Sequence, residues 1–178
     1  MTLGRYSKHG KLEYPIIFED FKKGMEEGLF IQRKHKGFVV LLYYTGIRSG
    51  EALRAKKEQF KILEEVITFD VGPRLKHGIE TKALVLPRSL PYVDELEEAI
   101  RDAEEGERVF PYCSKTGYNI VTRAFPFYPH FLRLNRITNF LLEGYDLAKL
   151  HSWTGLTLKA LNSYVGLVDI DKMSKSLS

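Results

Sequence analysis

His130 and Arg133 lie three residues apart in Pro129-His130-Phe131-Leu132-Arg133. If a helix begins there, the two side chains fall on neighbouring faces of one turn. A helix N-terminus also favours anions, because its first N–H groups have no partner within the helix. An imidazole and a guanidinium at such a place can hold a phosphate from two sides. Phosphate chemistry needs more: a second cation, an acid and a nucleophile.

Composition narrows where those groups can come from. The 178 residues suffice for one domain with a real core, and 44% hydrophobic content fits a folded chain rather than a disordered one. Lys and Arg number 27 against 23 acids, a formal net charge of +4, so positive charge must be concentrated locally if the partner is a polyanion. The single cysteine, Cys113, excludes an internal disulfide framework and argues against a Cys-based zinc site. His130 and His151 lack metal-ligand spacing, and no Gly-rich phosphate loop is present. No metal and no nucleotide or other cofactor is expected. No stretch approaches the roughly 20 apolar residues of a membrane span, and the N-terminus carries no apolar leader. A soluble, cytoplasmic protein is expected.

The elements that must position His130 and Arg133 follow from periodicity and breakers. Phe18, Phe21, Met25 and Leu29 recur at helical spacing, so 18–29 reads as an amphipathic helix. A cationic cluster follows at Arg33, Lys34, His35 and Lys36. Phe38 to Tyr44 is nearly all apolar and reads as a buried helix ended by Gly46. Arg48 sits in the turn, and Ser49 opens a short helix to about Ala55, followed by Lys56 and Lys57. Val66 to Val71 alternates with β-branched residues and predicts a strand broken by Gly72-Pro73. Thr81 to Leu86 predicts a second strand stopped by Pro87. Together they form a hairpin with a basic tip at Arg74, Lys76 and His77. Tyr92 to Glu104 reads as a surface helix with an acidic face. Val109-Phe110 is an apolar bridge, and 116–125 is helical. Pro126 and Pro129 bracket a rigid lead-in to His130. Leu134 to Leu142 is a core helix closed by Gly144. A helix over 146–153 takes Asp146 as its N-cap, and a last short helix covers 157–164. The expected fold is α+β, mainly helical, with a small antiparallel hairpin or sheet.

Arg48 alone would be an ordinary turn arginine. Its surroundings are not ordinary: Tyr43-Tyr44-Thr45-Gly46-Ile47-Arg48-Ser49-Gly50-Glu51-Ala52-Leu53 resembles the first motif box of the tyrosine recombinase, or phage integrase, family. His130-Phe131-Leu132-Arg133 is similar to that family's H-x-L-R. Residues 137–147 look like its following helix, turn and Asp-Leu, and Tyr164 falls near the family's nucleophile. The resemblance covers roughly residues 15–168, with the motifs in the family's order and a hairpin between the first and second. It looks like the integrase kind of archaeal viruses or plasmids.

The resemblance implies a catalytic-domain fold over residues 16–166, preceded by an extension (1–15) and followed by a tail (167–178). It implies DNA integration or recombination: cleavage and rejoining of double-stranded DNA through a 3′-phosphotyrosyl link, with no metal or nucleotide. Arg48 and Arg133 would clamp the non-bridging oxygens. His130 would donate to the phosphate or help deprotonate Tyr164, the nucleophile. A hairpin lysine would protonate the leaving 5′-oxygen. Lys76 is favoured, because Arg74 and His77 beside it would lower its pKa, and Lys82 is the alternative. Arg33, Lys34, Lys36, Arg54, Lys56, Lys57 and Arg74 are candidate DNA contacts. A nucleoid-associated location and self-association on DNA, as dimer or tetramer, are further implications. The apolar residues Leu167 to Leu177 are spaced to dock on a neighbouring copy or in cis.

The sequence also departs from the family pattern. After Gly155, where the family has a second His or a Trp, stands Leu156, which cannot donate a hydrogen bond. Trp153 and His151 lie across the turn, as substitutes or as packing residues. The run from Gly155 to Tyr164 is one residue short, and Leu134 replaces a frequent His. The N-terminal clamp domain of full-length members is expected to be absent. That fits a catalytic fragment, a minimal enzyme or a C-terminal half left by integration within a gene. Weak, salt-dependent DNA binding is therefore expected. Two other activities share the motifs: a non-catalytic DNA-binding or architectural remnant, and relaxation of the type IB topoisomerase kind.

Overall fold

The computed structural model describes residues 18–72 and 83–162. The fold is built around one helix. Helix α2 (Arg33–Thr45) is buried at every position from Gly37 to Thr45, so it is enclosed on all sides. Helix α1 (Phe18–Glu27) lies against it, with the Phe21 ring stacked on Tyr43 at a centroid distance of 3.6 Å. Helix α4 (Val93–Asp102) crosses α2 closely enough that a Cβ at Gly37 would stand 2.7 Å from the Glu95 carbonyl oxygen. Only glycine admits that approach.

The α2 helix begins earlier than the apolar run suggested. Its first turn is Arg33 to Lys36, so the cationic cluster is helical rather than a preceding loop. Apolar periodicity marks only the buried part of a helix and is silent about a solvated first turn. At the other end Gly46 adopts φ +64°, its N–H donating 2.9 Å to the Leu42 carbonyl. This left-handed cap turns the chain into α3 (Ser49–Arg54).

The sheet has three antiparallel strands in the order β1 (Phe60–Ile62), β2 (Val66–Phe69), β3 (Leu84–Pro87). Strand β1 was not expected from the sequence: it is three residues long, and only Phe60 is buried. Phe60 pairs with Phe69, their rings stacked 4.3 Å apart. Pro87 pairs with Val66 as the last residue of β3 rather than a stop before it. An edge strand accommodates proline because its outer N–H groups need no ladder partner. The hairpin tip, with Arg74, Lys76 and His77, and Lys82 lie outside the described residues.

Helices α5 (Ser114–Ala124), α6 (Pro129–Leu142) and α7 (Leu147–Thr154) complete the described fold, and residues 158–162 are helical. Helix α6 starts at Pro129, so His130, Arg133 and the core helix expected from Leu134 form one element, with 126–128 leading into it. Proline suits a first helical position, where no N–H partner is needed. Asp146 caps α7 as expected, its Oδ1 accepting from the N–H groups of Ala148 at 2.6 Å and Lys149 at 3.2 Å. Two cores result. Phe131 and Leu132 of α6 join the main one, while Ile137, Phe140 and Leu141 pack with Leu150 and Leu161 in a smaller one. Trp153 touches both. Among the described residues no helix is long and apolar enough to cross a membrane.

Candidate phosphate site

The turn after α2 and the first turn of α6 meet across a 370 Å³ pocket. Its walls include Arg48, Arg54, His130 and Arg133. The two sequence motifs, more than seventy residues apart, are thereby brought to one opening. That volume lies in the usual range for a site holding a small group.

Arg48 is a partly accessible cation. Its side chain is 41% exposed, and Nη1 donates to Glu51 Oε1 at 3.3 Å. The other Glu51 oxygen accepts the Arg48 backbone N–H at 2.8 Å. Glu51 thus ties down both the main chain and the side chain of Arg48 while staying 11% exposed itself. Glu51 was not among the residues expected at the site. Its signal was a carboxylate three residues on, in the first turn of a helix, where such a group satisfies an orphan N–H.

Arg133 is the opposite case. It is 2% exposed. Nη1 donates to the Gly46 carbonyl at 2.6 Å and Nη2 to the Thr154 carbonyl at 2.8 Å. Of the two arginines expected to clamp a phosphate, Arg133 is the buried one. Arg133 forms part of the pocket wall while joining the end of α2 to the end of α7.

His130 is exposed at the mouth of the pocket. Partial desolvation by the pocket walls, then the charges of Arg133 and Arg48, hold its pKa below the usual imidazole value. The ring is therefore neutral over more of the pH range than a free histidine. Arg54 folds back over the first turn of α3: a Cβ at Gly50 would meet its Nη1 at 3.4 Å.

The other proposed DNA contacts are dispersed. Arg33 faces α4, where its Nε donates to Glu95 at 2.7 Å and its Nη1 pairs with Glu98. Lys57 donates to the carbonyls of Ala103 at 2.5 Å and Arg101 at 3.3 Å, at the end of the same helix. Both cations are occupied by α4, whose acidic face the sequence had placed at the surface without naming what it meets. Lys36 lies 5.7 Å from the Phe30 ring centroid, Lys34 is half-buried and Lys56 is exposed. Lys76, Lys82, Arg74 and Tyr164 lie outside the described residues. Among the described residues, no three His, Cys, Asp or Glu side chains are grouped to hold a metal ion.

Neither Trp153 nor His151 is among the described residues that line the pocket. Trp153 Nε1 donates to the Thr45 carbonyl at 3.0 Å. His151 Nδ1 lies 2.5 Å from the Leu156 carbonyl oxygen. The Leu156 side chain packs against the smaller core.

No family model matches the sequence, and none of the curated proteins does. The fold has clear likenesses. The XerH site-specific recombinase, bound to palindromic difH substrate in a post-cleavage complex, matches with a TM-score of 0.67 at 19% identity, over 97% of this chain and 55% of that one. XerA recombinase matches with a TM-score of 0.65 at 17% identity, over 92% of this chain and 61% of that one. The integrase of mycobacterium phage Brujita matches with a TM-score of 0.58 at 16% identity, over 87% and 56%. The chain has the catalytic-domain fold of the tyrosine recombinases. It spans little more than half the length of the recombinases it resembles, 55% of the XerH chain and 61% of the XerA chain.

Proposed function

We propose that this chain cleaves and rejoins double-stranded DNA at specific sites, with Tyr164 as nucleophile. The observation that carries the reading is the convergence of Arg48, His130 and Arg133 on one pocket. The order of the motifs and the recombinase fold support it. In the proposed step the Tyr164 oxygen bonds to phosphorus, and the bond from phosphorus to the 5′-oxygen breaks. The leaving oxygen takes a proton from Lys76, or from Lys82. A 5′-hydroxyl on a second strand reverses the step and releases the tyrosine. The phosphotyrosyl bond conserves the energy, so neither metal nor nucleotide is required. Arg48 stabilises the charge developing on the non-bridging oxygens, and neutral His130 takes the proton that the Tyr164 hydroxyl gives up, or donates a hydrogen bond to the phosphate while that proton passes to solvent.

The test is a nicked suicide DNA site incubated with the full chain. A covalent protein–DNA adduct that vanishes in Tyr164→Phe is expected. A folded protein giving no adduct on any site carrying its own recombination sequence would sink the reading. One observation favours a second reading, a DNA-binding remnant without cleavage: Leu156 packs into the smaller core where the family pattern has a donor. That reading predicts DNA binding untouched by Tyr164→Phe. Relaxation of supercoiled DNA without sequence preference would instead favour topoisomerase-like use of the same chemistry.

Self-association on DNA belongs to the same proposal. An apolar cleft lined by Phe140, Tyr145, Leu150 and Trp153 lies beside α7. It suits the apolar residues of segment 167–178 from a second copy. Deleting that segment is expected to reduce multimers on DNA, and unchanged assembly would count against the docking.

A further inference from the structure

The last carbonyls of an α-helix have no partner within it. At the end of α2 three consecutive ones are met by side chains from elsewhere. The Tyr44 carbonyl accepts from Arg136 Nε at 2.9 Å, the Thr45 carbonyl from Trp153 Nε1 at 3.0 Å, and the Gly46 carbonyl from Arg133 Nη1 at 2.6 Å. Two donors come from α6 and one from α7. Two of them are guanidiniums placed at a helix C-terminus, where positive charge is favoured. Phe140 supports two of the three donors: the Arg136 guanidinium lies 3.9 Å from its ring centroid, and Trp153 meets it edge-on at 5.5 Å. The chain then passes through Ile47, 2% exposed, directly into Arg48.

We propose that Arg136 and Trp153 are positioning residues of the phosphate site. Their N–H groups fix the α2 terminal turn on α6 and α7, and so fix Arg48 relative to His130. The inference rests on the reading that Arg48 engages a DNA phosphate. It goes beyond that reading in making the site depend on two side chains that do not line the pocket.

The test uses the full chain carrying Trp153→Phe, which keeps a ring against Phe140 and removes the N–H. Arg136→Met removes both donor and charge, and Arg136→Lys is the conservative rescue. Thermal unfolding identifies which variants are folded at the assay temperature, and if Trp153→Phe is not, the two Arg136 variants decide. The first readout is single-turnover adduct formation at saturating DNA. A misplaced catalytic group costs on the order of tenfold to a hundredfold in rate, so a loss in that range is expected for Trp153→Phe and Arg136→Met. DNA affinity should stay within about twofold, as for an interaction felt at the chemical step rather than in binding, with partial recovery in Arg136→Lys. A lower melting temperature with an unchanged rate for the folded protein would overturn the proposal. The second readout needs no cleavage: orthovanadate is titrated while the Arg48 guanidinium NMR signal is followed. Weaker binding in the variants than in the wild type supports positioning even if the wild type forms no adduct, a result that defeats only the cleavage reading. Equal vanadate affinity in wild type and variants overturns the positioning role.

Discussion

Arg133 Nη1 donates to the carbonyl of Gly46 across 87 positions of sequence, at 2.6 Å. The bond spans the distance between two motifs and ends two residues before Arg48. It makes Arg133 a structural tie as well as a wall of the pocket, and separates its expected behaviour from that of Arg48.

Arg133→Ala leaves the Gly46 and Thr154 carbonyls without these donors. A buried acceptor deprived of its partner costs about 1–3 kcal/mol, so a loss of about 3 kcal/mol is expected in urea unfolding, together with loss of adduct formation. Arg48→Ala removes a partly exposed side chain and should change stability by less than about 1 kcal/mol. It should abolish adduct formation all the same. Equal destabilisation by the two would contradict the division of roles.

The depressed pKa of His130 gives a signed pH dependence. Its folded-state pKa lies below the unfolded value of about 6.5. Above that value the group is neutral in both states and imposes no penalty. Below it the unfolded chain binds a proton more readily than the folded one, so stability falls from about 6.5 downwards and levels off once the folded ring is protonated as well. The imidazole NMR titration of the DNA-free protein should have its midpoint below about 6.5. Adduct formation should fall on the same acid limb, and His130→Gln should remove that limb from whatever activity remains.

DNA binding should discriminate between cations that similar sequence clusters made equivalent. Arg54 lines the pocket and Lys56 is exposed, whereas Arg33 and Lys57 are held by α4. Each phosphate contact adds nearly one unit to the salt slope. Arg54→Ala and Lys56→Ala should each lower the slope by about 1. Arg33→Ala and Lys57→Ala should leave it near the wild-type value, as measured by titration over a range of salt concentrations.

Leu156→His would restore the residue type of the family pattern. Leu156 packs against the cluster of Ile137, Phe140, Leu141, Leu150 and Leu161, so an imidazole there enters an apolar setting. Destabilisation of about 1 kcal/mol or more is expected, with no gain in adduct formation. A large gain in rate would show that the position faces the phosphate after all.

The legible parts of this molecule were the local ones. Arg48 with its glycine turn and His130 with Arg133 could each be read from a few adjacent residues, because a cap or a first helical turn is specified by near neighbours. The helical bulk and the hairpin followed from periodicity and breakers. What could not be read depends on contacts between distant segments. Arg133 is spaced like an open clamp, and only the fold reveals that its nitrogens meet Gly46 and Thr154. Arg33 and Lys57 belong to basic clusters in sequence, yet α4 arrives across them. Strand β1 is too short to alternate and exists because Phe60 finds Phe69.

The anchoring of the α2 turn also orders events during synthesis. Trp153 and Thr154, one a donor to that turn and the other an acceptor for Arg133, are made more than a hundred residues after Arg48. A growing chain that has not reached them carries Arg48 on an incompletely fastened turn. The turn that carries Arg48 can be fastened on both helices only after synthesis has passed residue 154.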